Sequence, residues 1–298
     1  MPDHELFSIK KCTLAELIDA GQAYLAEYPL VYCQGTDNAF DESAWLAIEA
    51  CERSPVDPID NYQIPVTAAQ LQRAKEWYRK RVEERIPVAY LTGRAWFAGI
   101  ELAVDDRALI PRSPFAELVL DEFVPWLPQP PSAALDLCCG GGCIAMAIAH
   151  VFEHCMVDAV DLSSDALELA ATNVANHQLG ERVVLHQGDL FEPLINTQKR
   201  YDLIISNPPY VDAADMQVLA AELQHEPSMG LAAGADGLDI VAKIIASAKQ
   251  YLQADGVLIV EVGNSQQAVE DRFGHLGPVW LEFEHGGDGV FLLQAGQL

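Results

Sequence analysis

The sequence predicts an α/β fold: an open, mainly parallel sheet with helices on both faces, preceded by a small helical domain. Two observations carry this. After Pro131, strand-type segments alternate with helix-type segments, the pattern of a parallel sheet covered on both sides. The last two strand segments are separated only by Gly286-Gly287-Asp288-Gly289, which leaves no room for a crossover helix. They are therefore expected to form an antiparallel hairpin on the same sheet.

The elements follow in order. Leu14, Leu17, Ile18 and Leu25 recur at helical spacing, a second helix is expected from Asp41 with Trp45, Ile48 and Cys51 on one face, and a third from Thr67 to before Pro87. Between Val88 and Val104 the period changes. Tyr90, Trp96, Phe97, Ile100 and Leu102 favour strands and Gly93 and Gly99 punctuate them, so a β-hairpin is expected there. A short helix follows Pro114, and Pro125, Pro128, Pro130 and Pro131 form a stiff connector. The sheet strands are expected at Ala133–Cys138, Met156–Asp161, Val183–Gln187, Tyr201–Ser206, Gly256–Val262, Val279–Glu284 and Val290–Leu293. Between the second and third, the helix from Asp165 carries Glu168 three residues on, like a capping box. The domain reading is 1–86 helical and substrate-selecting, 87–106 a hairpin connector, and 107–298 the ligand-binding α/β domain.

The chain has 298 residues, 44 acidic and 18 basic, for a formal charge of -26. So acidic a protein is ill suited to gripping nucleic acid over a wide surface, because neutralising phosphates takes Lys and Arg. The charge suits a basic macromolecular partner, and it also serves solubility alone. Met1-Pro2-Asp3-His4-Glu5 has no basic region leading into an apolar run, so no secretory leader is expected. The uncharged stretch from Leu137 to Phe152 is too short to span a bilayer. Seven cysteines without a regular framework are expected as reduced thiols in a cytoplasmic protein.

Leu135-Asp136-Leu137-Cys138-Cys139-Gly140-Gly141-Gly142 reads as a strand running into a glycine turn and then a helix. Such a turn lets a ligand lie against bare backbone. It is not a dinucleotide G-x-G-x-x-G, since Ala145 stands where the third glycine belongs, and no P-loop lysine is present. Asp161 closes the next strand, about 20 residues past the turn, where an acid binds a ribose diol. Asp189, in Gly188-Asp189-Leu190-Phe191 after the third strand, can accept from an exocyclic amine such as that of adenine. The competing readings are a helix cap for Asp161 and a turn residue for Asp189.

Ser206-Asn207-Pro208-Pro209-Tyr210 ends the fourth strand. Two prolines fix two φ angles and donate no hydrogen bonds, so the carbonyls around them are presented rigidly. The Asn207 side-chain carbonyl and one backbone carbonyl can together receive both hydrogens of an –NH2 group, and Tyr210 can stack on its flat face. That arrangement suits methylation of a planar nitrogen. The lone pair of such a nitrogen is delocalised, and binding both N–H groups aims the remaining electron density at a sulfonium methyl. The bland alternative is a turn that merely ends a strand. The spacing of Cys139, Cys143, His150 and His154 hints at zinc, but the first lies in the turn and the others on or after the following helix. Cysteines packing that turn account for them better, and no metal is expected. His225-Glu226 is open to an acid/base or a loop-folding reading.

These motifs resemble the class I nitrogen methyltransferases, and nearly the whole chain resembles the protein-(glutamine-N5) methyltransferases. The matching segments are Leu109-Ile110-Pro111-Arg112-Ser113-Pro114, the Cys138–Cys143 turn, Asp158-Ala159-Val160-Asp161, Asn207–Tyr210 with Val211-Asp212, His225-Glu226-Pro227, Asp236-Gly237-Leu238 and Glu261-Val262-Gly263-Asn264. Ile110–Pro114, Leu137-Cys138-Cys139 and Gly286–Phe291 resemble the branch acting on the third large-subunit ribosomal protein. The other branch acts on the Gly-Gly-Gln loop of peptide chain release factors and usually carries Pro-Arg-Pro-Glu-Thr-Glu and a Gly-Thr-Gly-Thr-Gly turn. Leu190 departs from a Trp common in that branch.

The resemblance implies a seven-stranded Rossmann-like sheet and S-adenosyl-L-methionine as cofactor. Cys138, Cys139, Gly140, Gly141, Gly142, Asp161 and Asn207 would contact it, with Asp189 at the adenine. Asn207, Pro208, Pro209 and Tyr210 would bind the glutamine amide, and Asn207, Pro208 and Tyr210 would carry catalysis. The expected partner is a basic ribosomal protein, with no membrane and no dedicated nucleic-acid site. The alternatives are a release-factor substrate, an amino-group DNA methyltransferase, a non-catalytic cofactor-binding protein and a nicotinamide oxidoreductase.

Overall fold

A computed structural model describes residues 4–54, 58–210, 219–231 and 237–298. Val211, Asp212 and Asp236 lie outside the described residues. The chain divides into two compact units: Met1–Arg94 together with Ala220–His225, and Ala95–Leu219 together with Glu226–Leu298.

The first unit is helical, with α1 (Glu5–Ser8), α2 (Leu14–Ala26), α3 (Ala39–Ala50), α4 (Ala68–Glu83) and α5 (Val88–Thr92). Thr13 caps α2 and Thr67 caps α4, each reciprocated by the residue three places on, Glu16 and Gln70. Each such cap is worth about 1 kcal/mol. The second helix starts earlier than the apolar pattern suggests, because the Asn38 side chain accepts from the Asp41 backbone N–H. Leu14, Leu17, Ile18, Leu25, Leu46 and Leu71 form the core with Tyr24 and Tyr78. Gly21 makes the central helix contact possible, since a Cβ there would lie 2.2 Å from the Tyr78 ring. Bare backbone lets the Tyr78 hydroxyl reach Ser43 at 2.9 Å.

A buried charge cluster stands in this unit. The Arg81 guanidinium, on α4, donates to Glu42 at 2.7 Å and to Glu222 at 3.1 Å, and all three residues are nearly free of solvent. Glu222 also accepts from the Val31 N–H at 3.1 Å, so the short segment 220–225 is pinned to the helices by charge-assisted bonds.

The second unit opens with a two-stranded hairpin, β1 (Arg94–Phe97) and β2 (Ile100–Ala103), whose first residue belongs to the helical unit. The expected hairpin is thus shorter than Val88–Val104. Its first five residues are helical because Pro87 at the N-cap sets φ for a helix start and Gly93 ends the turn in the left-handed region. After α6 (Phe115–Leu120) come β3 (Ala133–Leu137), α7 (Cys143–Val151), β4 (Met156–Asp161), α8 (Ser164–Asn176), β5 (Val183–Gln187) and β6 (Tyr201–Ser206). They are followed by α9 (Asp239–Ala248), β7 (Leu252–Glu261), α10 (Gln266–Phe273), β8 (Val279–Trp280) and β9 (Val290–Gln294).

Seven strands form one sheet in the order β5-β4-β3-β6-β7-β9-β8. The first five run parallel, and β9 runs antiparallel to both β7 and β8. This is the class I methyltransferase sheet, with β9 alone reversed between β7 and β8. β8 keeps only two residues of the expected Val279–Glu284. The α8 cap also differs from expectation: the Ser163 hydroxyl accepts from the Ala166 N–H, and Asp165 already lies within the helix. Successive apolar positions of β3 (Ala134, Leu135, Leu137), β6 (Leu203, Ile204, Ile205) and β7 (Val257, Leu258, Ile259, Val260) are buried, as a sheet covered on both faces requires. The strand order turns around at β3, so the crevice for a ligand opens beyond the carboxyl ends of β3, β4 and β6. Among the described residues no helix is long and apolar enough to cross a membrane.

Candidate active site at the carboxyl ends of the strands

The glycine turn begins where β3 ends. Cys138 has φ +59°, Gly140 +53° and Gly142 +82°, so the chain passes through the left-handed region three times in five residues. Glycine adopts this freely, whereas Cys138 holds it at a cost of about 1–2 kcal/mol. The strand pairing and the turn closure fix it: Cys139 N–H donates to the Val160 carbonyl at 3.1 Å and Gly142 N–H to the Cys139 carbonyl at 2.8 Å. Gly142 is also the N-cap of α7 and offers no side chain there. Asn173 on α8 buttresses the turn, its amide donating to the Gly141 carbonyl at 3.2 Å and to the Ala103 carbonyl at 3.0 Å. Sequence reading missed Asn173, a buried amide on an otherwise apolar helix face.

Asp136, fully buried on β3, accepts from the Ala145 N–H at 3.0 Å through one oxygen, and its other oxygen has no partner. Burial pushes its carboxyl up to about 8, with the Asp161 charge adding to the shift.

Asp161 closes β4. One carboxylate oxygen accepts from the Gly140 N–H and the other from the Ser163 N–H, both at 2.8 Å. Burial raises its carboxyl above the usual range, and the backbone N–H bonds oppose that. The acid therefore holds the start of α8, as its helix-cap reading expects, and in addition ties β4 to the turn. An ionised carboxylate has about four acceptor positions, so acceptor capacity remains beyond these backbone N–H groups. Asp189 is placed differently. Its carboxylate is exposed and paired with Lys243 of α9 at 3.0 Å, beside a surface groove that Phe191 and Tyr251 also line.

The Asn207–Tyr210 segment leaves β6 next to the turn, and the Ser206 hydroxyl donates to the Leu137 carbonyl at 2.8 Å. Pro208 is buried, while Asn207, Pro209 and Tyr210 are half-buried. Tyr210 is held on several sides. A Cβ on Gly263 would lie 2.6 Å from its ring, and one on Gly237 would lie 2.6 Å from its carbonyl oxygen. Its hydroxyl donates to Glu261 at 3.1 Å. Burial, then the Glu261 charge, drives the phenol well above its usual range, so it stays protonated.

Glu261 ends β7 and is 6 % exposed. Its carboxylate also accepts from the Ser113 hydroxyl at 2.5 Å. Burial raises its carboxyl, and the Ser113 and Tyr210 bonds act in the opposite direction. Nearby, Arg112 donates to Glu226 at 2.6 Å, while His225 bonds the Glu84 carbonyl in the helical unit at 2.8 Å. The two neighbours thus serve separate loops. Among the described residues no group of three or more His, Cys, Asp and Glu side chains is arranged to hold a metal ion.

The turn, Asp161 and the strand-end Asn-Pro-Pro-Tyr occupy adjacent strand ends of one seven-stranded sheet. Fold and site together define a class I methyltransferase. The family described as "Methyltransferase small domain" matches residues 120–234. A ribosomal protein uL3 glutamine methyltransferase of Bordetella pertussis is 43% identical over 96% of this chain and 96% of its own. Another of that name, from Burkholderia pseudomallei, is 42% identical over 96% of this chain and 95% of its own. The chain belongs to the family of these glutamine methyltransferases. Among solved structures, the hMettl16 catalytic domain matches 76% of this chain and 80% of its own with a TM-score of 0.50 at 15% identity, a likeness of fold alone.

Proposed function

We propose that this protein methylates the side-chain amide nitrogen of a glutamine in ribosomal protein uL3, in the cytoplasm, with S-adenosyl-L-methionine as donor. The observation that carries this is the near full-length identity to relatives named for that activity. The placement of Asn207-Pro208-Pro209-Tyr210 beside the glycine turn supports it.

The residues present fit the cofactor. Bare backbone at Gly140–Gly142 gives a flat support, and Asp161 has acceptor capacity left for a ribose diol. Cys138 and Cys139 would contribute backbone contacts only. Asp189 would reach adenine only after leaving Lys243. When bound, S-adenosyl-L-methionine supplies a methyl carbon made electrophilic by its sulfonium.

The chain's own work is on the amide. The Asn207 Oδ1 and the Pro208 backbone carbonyl accept its two N–H bonds, and Tyr210 and Pro209 bound its flat face. As nitrogen is alkylated it gains positive charge, which the two carbonyl oxygens stabilise in place. The N–H proton then becomes strongly acidic and leaves to water, so no strong general base is required. The helical residues 1–86 would select the substrate, and the surplus of acid would draw in a basic ribosomal protein.

The test is mass spectrometry of uL3 and of release factors from cells with and without this chain, paired with transfer of labelled methyl in vitro. Loss of one glutamine methyl from uL3 alone is the expected result. Loss from a release factor instead would move the activity to the Gly-Gly-Gln substrate.

A further inference from the structure

We infer that Asn173 is a positioning residue for the glycine turn, tying it to the β1–β2 hairpin so that the two order together. Cofactor affinity then depends on the hairpin. The inference rests on the reading above that the turn holds S-adenosyl-L-methionine.

A two-stranded hairpin is marginal alone and leaves a strand edge open. Here α8 covers the edge of β2 with side chains. Asn173, 2 % exposed, bonds Ala103 as a neighbouring strand would. Its Oδ1 accepts the Ala103 N–H at 2.8 Å, and its Nδ2 donates to the Ala103 carbonyl at 3.0 Å. One helical turn further on, the His177 Nε2 bonds the Glu101 carbonyl at 2.6 Å. Ala103 also fixes which way round the Asn173 amide lies, because a backbone N–H only donates and a carbonyl only accepts.

Nδ2 carries a second hydrogen, and Nδ2 also donates to the Gly141 carbonyl at 3.2 Å. That bond falls on the peptide unit between Gly141 and Gly142. Two glycines flank this unit, so it rotates at little steric cost unless both its ends are held. The Cys139 carbonyl holds its N–H end at 2.8 Å, and Asn173 holds its carbonyl end. Cys139 and Gly140 are tied to β4 instead, through the Val160 carbonyl and the Asp161 carboxylate. The packing follows the same line. A Cβ on Gly141 would lie 3.5 Å from Leu169 of α8 and 3.6 Å from Ala108, and Ala103 packs against the cluster that holds both. Hairpin, helix and turn thus meet at one buried amide. Coupling between two such parts is reciprocal: a ligand that steadies the turn also steadies β2.

The experiment follows hydrogen exchange at the Ala103 N–H of the full chain by NMR, with and without saturating S-adenosyl-L-methionine. The control is the Ala295 N–H, which is bonded to the Gly256 carbonyl at 2.9 Å and reports general stabilisation. The cofactor is expected to slow Ala103 about 10-fold more than Ala295. Asn173→Ala is expected to erase that difference and to weaken cofactor affinity about 10-fold by calorimetry, equivalent to about 1.4 kcal/mol. In steady-state kinetics its loss should fall on KM for S-adenosyl-L-methionine more than on kcat. A merely structural role would lower the melting temperature and leave the affinity alone. Equal slowing of the two amides in the wild type, or unchanged affinity in the variant, overturns the inference. Should Asn173→Ala fail to fold, His177→Ala decides. It loosens β2 at Glu101 without touching the turn, and is expected to weaken cofactor affinity about 3-fold; unchanged affinity overturns the inference. Wild-type protein that binds no S-adenosyl-L-methionine would defeat the reading of the turn itself. Wild-type binding that Asn173→Ala leaves intact defeats only the role of Asn173.

Discussion

Asp161 reaches back from the end of β4 to accept the Gly140 N–H at 2.8 Å, joining the proposed ribose acid to the glycine turn through a single hydrogen bond. Removing the carboxylate takes away both the diol acceptor and the tie that shapes the turn. Asp161→Ala is expected to weaken S-adenosyl-L-methionine binding by about 10- to 100-fold, equivalent to about 1.4–2.8 kcal/mol. Isothermal calorimetry measures this directly. Unchanged affinity would remove Asp161 from the ribose.

Gly263 has φ +48°, and a Cβ on it would stand 2.6 Å from Cε2 of Tyr210. Gly263→Ala therefore faces two penalties at once, the left-handed backbone and a clash with a ring hemmed in at its hydroxyl by Glu261. A stability loss of about 1–3 kcal/mol is expected, with kcat reduced roughly 10-fold or more as the ring moves. Cofactor affinity should hold, because the turn at Cys138–Gly142 is not involved. Steady-state kinetics beside thermal melts tests this, and full activity would show that the ring position is immaterial.

The sheet and the motif strands were legible in the sequence because their signals are local. The apolar runs of β3, β4, β6 and β7, the glycine turn and Asn207-Pro208-Pro209-Tyr210 can each be read within about ten residues. What the sequence hid is set by distant partners. Asp189 and Lys243 are 54 positions apart, so an exposed acid read as an adenine acceptor is in fact ion-paired. Ser113 and Glu261 are 148 apart, and only their resemblance to family motifs marked them. The helix at Val88–Thr92 was missed for another reason. Its residues favour strands, and the turn Pro87 and Gly93 impose outweighs so short a propensity signal.

Arg81 in the helical unit tests how that unit holds its short returning segment. Its guanidinium is about 1% exposed and bridges Glu42 and Glu222. Arg81→Ala would leave two buried carboxylates without their main counter-charge, a change that typically costs about 3–5 kcal/mol. Hydrogen exchange should then accelerate about 100-fold or more in α3 and α4, at tenfold per 1.4 kcal/mol. Exchange in β3 and β6 should change less, since those strands belong to the other unit. An acceleration below tenfold would mean that the two glutamates are relieved by water.

The pH dependence of stability should carry the signature of Asp136. Its carboxyl rises from an ordinary 3.8 to about 8 in the folded chain, chiefly through burial. A carboxyl raised on folding binds its proton more tightly in the native state. Its stabilising effect is therefore complete below the unfolded value and is lost progressively as pH climbs toward the folded value. The melting temperature of the cofactor-free protein should thus carry a downward contribution from Asp136 between about pH 4 and pH 8. In Asp136→Asn, which keeps a carbonyl for the Ala145 N–H and cannot ionise, that contribution should be missing. Melts of both proteins across this range give the difference, in which contributions from all other groups cancel. Parallel curves would show that Asp136 keeps its charge throughout, stabilised by something other than the single backbone N–H it accepts.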